Sequence, residues 1–205
     1  MKEICSSIGI MGGTFDPVHN GHLIIAEEVR EKLKLDSILF IPSGHPPHKD
    51  KLKIASAEHR LNMIKCAIGS NSAFCVSEME IEREGYTYTV DTLQQLKSLY
   101  GDSTKLFFII GADVVRDLVN WRDFKKVFTL CEFAAVMRPG FEKETYRNQI
   151  RRLTSEYMAK IHNVDVPVID ISSTYIREKL AKGESIKYLV PESVEEYIKR
   201  NGLYK

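Results

Sequence analysis

A run of eleven residues near the start of the sequence, Gly12–His22, combines the turns and side chains that phosphate chemistry needs. The paired glycines Gly12 and Gly13 let the backbone approach a ligand closely, and a following helix start offers N–H groups to an anion. His19 and His22 are three residues apart, a spacing that can aim two imidazoles at one bound anion. Imidazolium charge beside a transferring phosphoryl group stabilises the charge of its transition state. The run therefore predicts a phosphate site in which His19 and His22 are catalytic.

Two other readings of the same residues stay open at this point. The glycines could form only a tight turn, with His19 as a helix cap. Alternatively, four histidines could bind zinc as a set, namely His19, His22, His45 and His48. No carboxylate or cysteine spacing supports a zinc site, and Pro46-Pro47 stiffens the second histidine pair, so phosphate binding is favoured.

The run resembles the T/HxGH signature of the nucleotidylyltransferase α/β phosphodiesterase superfamily. Its longer form, GGTFDPxHxGH, looks like the bacterial nicotinate-nucleotide adenylyltransferases, and the likeness extends from Ile8 to Arg177. The resemblance implies transfer of AMP from ATP to nicotinate mononucleotide, giving deamido-NAD and pyrophosphate. It also implies a mononucleotide contact for Asp16 and ATP contacts for Gly12, Gly13, Thr14, Phe15 and His22.

A second anion cradle is predicted at Ile171–Arg177, where hydroxyl side chains open a helix and Arg177 follows one turn later. Taken alone, Ser172-Ser173-Thr174 is an ordinary helix cap. The segment is similar to the ISSTxIR element of the same superfamily, which binds the β- and γ-phosphates of ATP. The resemblance therefore assigns Ser173, Thr174 and Arg177 to ATP, and Arg177 would neutralise the departing pyrophosphate.

The loop Pro42–Lys49 looks like the family's loop over the acceptor mononucleotide. The resemblance implies contacts from His45 and from Lys49, whose ammonium can meet a phosphate as a point charge. A solvent-exposed proline loop is the alternative. Arg138, which follows a predicted strand, is a further candidate for the mononucleotide.

Gly111 and Asp113 follow the most hydrophobic predicted strand. An acidic residue at this place can accept hydrogen bonds from ribose hydroxyls in doubly wound folds. The resemblance makes the pair an ATP contact. Asp113 could equally be a plain helix N-cap.

Two further residues are candidates for contact with a pyridine ring and its carboxylate. Trp121 is the single tryptophan, and such a residue is most often part of the core. The resemblance implies that it stacks on the nicotinate ring. Tyr86–Thr92 is similar to the family's YTxDT element, which implies that Thr89 and neighbouring amides contact the nicotinate carboxylate. Thr89 is also a plausible N-cap of the next helix.

Strands and helices alternate along the chain, which predicts a Rossmann-like, doubly wound α/β fold with a parallel sheet and helices on both faces. The predicted strands are Ile4–Met11, Ser37–Ile41, Phe74–Ser77, Lys105–Ile110, Phe133–Met137 and Val166–Ile171. Two predicted helices begin near Gly21 and Ser172. The other predicted helices span Ser56–Ile68, Val90–Tyr100, Glu142–Lys160 and Glu192–Arg200. We expect one domain over 1–205, with a helical part from about 172 packed on it.

The composition limits the partners. The chain has 205 residues, 43% of them hydrophobic and 28% charged, with a net charge of +1. This balance favours a globular protein that binds neither nucleic acid nor membrane. With no signal-peptide pattern and four scattered cysteines, we expect a cytoplasmic protein whose cysteines are reduced and mostly buried.

The remaining expectations concern cofactors and rival functions. Mg²⁺ should arrive with ATP, chelated by the phosphates, with no metal site of the protein's own. A homo-oligomer is left open. The rival functions are adenylyl transfer to nicotinamide mononucleotide, pantetheine phosphate or FMN, and a non-catalytic nucleotide-binding regulator.

Overall fold

The computed structural model describes residues 6–44, 54–137, 143–167 and 169–205. Its strands are β1 Ser7–Gly13, β2 Ser37–Pro42, β3 Phe74–Val76, β4 Lys105–Gly111, β5 Glu132–Met137 and β6 Ile161–Asp165. Its helices are α1 Asn20–Lys32, α2 Ala57–Ile68, α3 Thr89–Tyr100, α4 Phe124–Leu130, α5 Lys143–Tyr157, α6 Ser173–Ala181 and α7 Glu192–Asn201. A 3-10 helix spans Ala112–Asn120.

The strands form one six-stranded parallel sheet in the order β3-β2-β1-β4-β5-β6. This is the order of the doubly wound nucleotide-binding fold, in which ligands bind beyond the carboxyl ends of the strands where the order reverses. β1, whose end carries Gly12 and Gly13, is one of the two strands at that point. The Rossmann-like α/β fold expected from the sequence is therefore confirmed.

The strands form where apolar, often β-branched residues follow one another without a polar break. Ile38 and Phe40 in β2 and Phe133 in β5 are all 0% exposed. Such runs suit a strand that is covered on both faces, as parallel strands are. The sheet thus supplies the rigid base from which the loops at its carboxyl end project.

Two compact units make up the chain. One comprises Met1–Met11, Ala26–Ile38 and Tyr88–Val168, and it contains the paired strands β4, β5 and β6. The other comprises Gly12–Ile25, Leu39–Thr87 and Ile169–Lys205. In this second unit α7 packs on α2, where the Tyr197 hydroxyl contacts Nδ1 of His59 at 3.0 Å and accepts from Asn62 at 3.2 Å. The single domain predicted over 1–205 stays a prediction.

Several predicted elements differ from the structure. The last strand is Ile161–Asp165 rather than Val166–Ile171, because the residues of Ile161–Asp165 are the ones that pair in register with β5. The N-cap of α3 is Tyr88, so Thr89 is the first helical residue instead of the cap. Neither α4 nor the 3-10 helix was predicted from the sequence.

The burial predicted for the cysteines was also wrong in part. Cys131 is buried, but Cys66 is half-buried and Cys75 is exposed, and all three are free thiols. Across the described ranges, none of the helices has the length and apolar character required to traverse a bilayer.

Candidate active site

The two histidines of the Gly12–His22 run, His19 and His22, form hydrogen bonds with each other at the start of α1. His19 immediately precedes the helix, and its backbone N–H donates to Nδ1 of His22 over 3.2 Å. The N–H of His22 in turn donates to the carbonyl of His19 over 2.9 Å. His22 thus occupies the place of the Glu or Gln in a capping box, whose side chain reaches back to the N-cap amide. The helix cap and the proposed phosphate site use the same residues, so the two readings are compatible.

This arrangement reduces the number of N–H groups that the helix start can offer an anion. The amide of Asn20 donates to the carbonyl of Leu189 over 2.9 Å, and the amide of His22 donates to His19. The expectation of a row of unpaired amides was therefore wrong at these two positions. An anion at this helix start would therefore depend more on the imidazoles than on the backbone amides.

The two imidazole rings are stacked, with centroids 3.7 Å apart and 24° between their planes. The ring of Phe15 packs edge-on against His22, with centroids 5.0 Å apart. A Cβ at Gly21 would lie 3.0 Å from Nδ1 of His19 and 3.1 Å from its Cε1. Glycine at position 21 therefore makes room for the His19 ring. Phe15 is 2% exposed, and the ATP contact predicted for it stays a prediction.

Asp16 is buried in the same turn, where it is 3% exposed. Its Oδ1 accepts from the Tyr204 hydroxyl over 2.6 Å and from the Ala55 amide over 3.1 Å. Its Oδ2 lies 3.7 Å from Nη1 of Arg177. The carboxylate is therefore committed to protein partners, and its predicted contact with the mononucleotide stays a prediction.

Arg60, a buried arginine in α2 that is 3% exposed, is not among the site residues predicted from the sequence. Its guanidinium donates to three backbone carbonyls, those of Thr14 at 2.8 Å, Ser43 at 2.7 Å and Ala55 at 3.2 Å. Burial lowers the pKa of this guanidinium below its ordinary value. Arg60 thus ties the glycine-rich turn to the residues after β2 and before α2. The sequence feature that could have indicated this buried arginine is its position on the apolar face of α2.

The start of α6 packs on the same turn. The Ser172 hydroxyl caps the helix by accepting from the Tyr175 amide, as expected. The Ser173 hydroxyl donates to the carbonyl of Pro17 over 2.9 Å. Arg177 donates through Nη1 to the Asp16 carbonyl over 2.7 Å and through Nη2 to the Thr174 hydroxyl over 3.3 Å. The structure therefore brings the predicted residues of α6 together with the turn that precedes the histidines.

In the other unit, Gly111 ends β4 and Asp113 is the second residue of the 3-10 helix. The cap position belongs to Gly111, so the alternative reading of Asp113 as the N-cap was wrong. A Cβ at Gly111 would clash with Oδ1 of Asp113, so glycine allows the carboxylate to lie against the end of the strand. Asp113 is exposed and available to accept hydrogen bonds.

The same unit contains the residues predicted to contact the pyridine ring. Trp121 is half-buried and packs edge-on against Phe108 and Phe133, with centroid distances of 5.7 Å and 6.3 Å. The guanidinium of the next residue, Arg122, lies 4.4 Å from the ring centroid of Tyr88, which is the N-cap of α3. Trp121 and the start of α3 at Thr89 are therefore linked through neighbouring side chains.

Three predicted site residues, His45, Lys49 and Arg138, lie outside the described residues. So does His48, the fourth member of the zinc alternative. In the part of the chain that the structure describes, no three His, Cys, Asp or Glu side chains are grouped so as to hold a metal ion. Nothing in the described residues therefore supports the zinc reading.

A family model described as cytidylyltransferase-like matches residues 10–179 of the chain. The chain belongs to the cytidylyltransferase-like family. The match includes the histidine turn and α6, and therefore all the site residues described above except Tyr204.

Curated relatives of this cytidylyltransferase-like chain bear one name, probable nicotinate-nucleotide adenylyltransferase. The protein from Thermoanaerobacter sp. (strain X514) is 48% identical over 97% of this chain and 94% of its own length. The protein from Desulfitobacterium hafniense (strain Y51) is 46% identical over 97% and 95%. The resemblance drawn from the sequence is thus confirmed.

A solved structure shares the fold. It is the nicotinic acid mononucleotide adenylyltransferase of Plasmodium falciparum complexed with NaAD, with a TM-score of 0.79. The two chains are 22% identical, and 97% of each is covered. At this level of identity the likeness supports only the fold assigned to the cytidylyltransferase-like chain, and it does not identify the ligands of the chain.

Proposed function

We propose that this protein transfers AMP from ATP to nicotinate mononucleotide, forming deamido-NAD and pyrophosphate. The observation that carries the proposal is the convergence of His19, His22 and Arg177 on one turn of the chain. The histidines cap α1, and Arg177 donates to the Asp16 carbonyl three residues before His19. Relatives that are 42–48% identical and named for this reaction support the choice of substrates.

The reaction requires no covalent bond to the protein. A phosphate oxygen of the mononucleotide attacks the α-phosphorus of ATP in line, forming a new P–O bond. The bond from the α-phosphorus to the bridging oxygen breaks, and pyrophosphate leaves with that electron pair. The catalytic contribution of the protein is then positioning and charge stabilisation.

The hydrogen bond at the helix start defines what His22 can do. A backbone N–H can only donate, so Nδ1 of His22 is an acceptor and the proton of the neutral ring is on Nε2. Nε2–H can therefore donate to an oxygen of the transferring phosphoryl group, even without imidazolium charge. The Arg177 guanidinium would bind the departing pyrophosphate, since it is permanently cationic.

Mg²⁺ is proposed to enter with ATP. Mg²⁺ prefers oxygen ligands and is usually bound through substrate phosphates, so the phosphates of ATP would supply most of its ligands. Such an ion would neutralise phosphate charge during the transfer. The protein side chains would orient the phosphates around it.

Selection of the acid form of the pyridine is proposed to involve the start of α3. The Tyr88 side chain does not cap the helix, and the Asp91 and Thr92 amides donate to the Tyr88 carbonyl, so the amides of Thr89 and Val90 would bind the carboxylate. Trp121 would stack on the pyridine ring, since its edge-on contacts with Phe108 and Phe133 fix the plane of the indole. A cytoplasmic location would give the protein access to ATP.

Pyrophosphate release tests the proposal directly. The full chain is incubated with ATP and Mg²⁺, and either nicotinate mononucleotide or nicotinamide mononucleotide is added. We expect strong release with the acid and little with the amide. Release with the amide alone, or with pantetheine phosphate or FMN, would reassign the acceptor. ATP binding without release from any acceptor would indicate a nucleotide-binding regulator.

Trp121→Phe provides a more specific test of the acceptor site. It keeps an aromatic ring but shortens the stacking surface. We expect a higher KM for nicotinate mononucleotide and an unchanged KM for ATP. A KM that rises for ATP instead would contradict the assignment of Trp121 to the pyridine.

A further inference from the structure

The segment after α7 reaches the Asp16 turn through one side chain. The Tyr204 hydroxyl donates to Oδ1 of Asp16 over 2.6 Å, and the Ala55 amide donates to the same oxygen over 3.1 Å. The Asp16 side chain is 4% exposed. Both donors fix the orientation of a buried carboxylate that belongs to the glycine-rich turn.

Tyr204 can make this bond only as the neutral phenol. Burial raises the pKa of its hydroxyl above the ordinary value, and the hydrogen bond to Asp16 raises it further. The Tyr204 hydroxyl therefore stays protonated near neutral pH, which preserves the hydrogen bond. This bond is charge-assisted, because the acceptor is a carboxylate.

Arg177 lies on the other side of the same carboxylate. Its Nη1 donates to the Asp16 carbonyl over 2.7 Å, but lies 3.7 Å from Oδ2. A direct ion pair of this kind measures about 2.7–2.9 Å, so Arg177 and the carboxylate are close without being fully paired. The Arg177 side chain is 31% exposed. Its guanidinium thus retains N–H groups for an anion.

The local charge favours an anionic ligand. Asp16 supplies the negative charge beside two guanidinium groups, those of Arg60 and Arg177, and Tyr204 adds none. Among these four side chains, one positive charge is therefore in excess. Arg60 is buried against three carbonyls, so the accessible part of this charge is on Arg177.

We propose that Tyr204 is a positioning residue for Arg177 that acts through the Asp16 carboxylate. By holding Oδ1, the hydroxyl prevents the carboxylate from turning onto the guanidinium and closing the ion pair. Arg177 then remains available for the polyphosphate of ATP. The inference rests on the proposed function for the identity of that ligand.

Tyr204→Phe removes the hydroxyl and keeps the ring. We expect the carboxylate to turn toward Arg177, so that the Kd and KM for ATP rise about tenfold, as the loss of one charge-assisted hydrogen bond allows. The KM for nicotinate mononucleotide is not decisive for this test, because Asp16 is itself predicted to contact that substrate. ATP affinity is measured by calorimetry without the mononucleotide, and both KM values come from pyrophosphate release.

Tyr197→Phe is the matched control. Tyr197 is a tyrosine of α7 whose hydroxyl contacts His59 and Asn62 of α2. Its loss should lower thermal stability to a degree similar to the loss of the Tyr204 hydroxyl. It should leave the ATP affinity unchanged, since neither partner belongs to the Asp16 turn.

The double variant Asp16→Asn with Tyr204→Phe tests the route of the effect. Without carboxylate charge there is no ion pair to close, so Tyr204→Phe should not change ATP affinity in the Asp16→Asn background. An equal loss of ATP affinity in both backgrounds would overturn the proposal. So would a Tyr204→Phe protein that matches Tyr197→Phe in every measurement.

These results are separable from failure of the proposed function. If the wild-type protein released no pyrophosphate with nicotinate mononucleotide, the proposed function would fail. Calorimetry with ATP would still show whether Tyr204 controls the nucleotide affinity of Arg177.

Discussion

The backbone N–H of His19 donates to Nδ1 of His22, and the two rings stack 3.7 Å apart. This bond holds the His22 ring in one tautomer, with its donor at Nε2. We expect His22→Ala to lower kcat by roughly 10²–10³, the usual cost of removing one donor to a developing charge. Pyrophosphate release at saturating substrates measures the change.

The same substitution removes the helix cap. We expect it to lower the free energy of unfolding by about 1 kcal/mol, the typical value for a cap. Urea unfolding provides this control. A loss of activity explained wholly by unfolded protein would remove His22 from the mechanism. The ¹⁵N shifts of the His22 ring should show Nε2 protonated and Nδ1 unprotonated.

Gly21→Ala tests the packing between the histidines. The added methyl would lie 3.0 Å from Nδ1 of His19, so the ring must move by a few tenths of an ångström. We expect a lower kcat with nearly unchanged thermal stability. Gly69→Ala is the control, because Gly69 has helical torsion angles and its Cβ would approach no atom closer than 3.4 Å. Equal kinetics in the two variants would contradict the prediction.

Arg60→Met tests the buried guanidinium. The change leaves the carbonyls of Thr14, Ser43 and Ala55 without their donor. We expect a loss of unfolding free energy on the order of 3 kcal/mol, since each buried unsatisfied group costs about 1–3 kcal/mol. Chemical denaturation measures it. Arg152→Met, at an exposed arginine of α5 whose ion pair with Glu156 is solvent-screened, should leave the free energy of unfolding nearly unchanged.

Asp36 makes stability depend on pH. Its Oδ2 accepts from the Ser6 hydroxyl at 2.8 Å and from the amides of Ser6 and Ser7 at 2.7 Å and 2.9 Å. The bond from the Ser6 hydroxyl and then the Ser7 amide bond lower the pKa of Asp36 below its ordinary value. Its contribution is therefore complete above about pH 4, the unfolded pKa, and is lost as pH falls through the lower folded pKa.

Asp36→Asn should consequently destabilise the protein more at pH 7 than at pH 2–3, as followed by urea unfolding at both pH values. Asp165→Asn is the control, because its side chain makes no hydrogen bond within the described ranges. A destabilisation by Asp36→Asn that is the same at both pH values would show that the charge of Asp36 is irrelevant.

Much of the fold follows from local sequence patterns. The buried runs of β2, β4 and β5 predict strands because parallel strands are covered on both faces. β6 was misplaced because both Ile161–Asp165 and Val166–Ile171 carry apolar residues. Pairing with β5, which local pattern does not show, selects the first segment.

The site was predictable only where its residues adjoin in sequence. His19, His22 and Ser173 are recognised by spacing, and the structure places them at helix starts as expected. Arg60 and Tyr204 act on the same turn from distant positions. A lone arginine on a helix and a lone tyrosine have no spacing that would indicate such a partner.

The contacts that hold the Asp16 turn in place join residues that are far apart in the sequence. Arg60 and Thr14 are 46 residues apart, and Tyr204 and Asp16 are 188 residues apart. Because closing a loop costs more entropy as the loop lengthens, such contacts are unfavourable until the intervening elements are assembled. We therefore expect the turn to reach its final geometry among the last events of folding. Nucleotide affinity would then report that the whole second unit has assembled, and ATP would act as a selective stabiliser of the completed molecule.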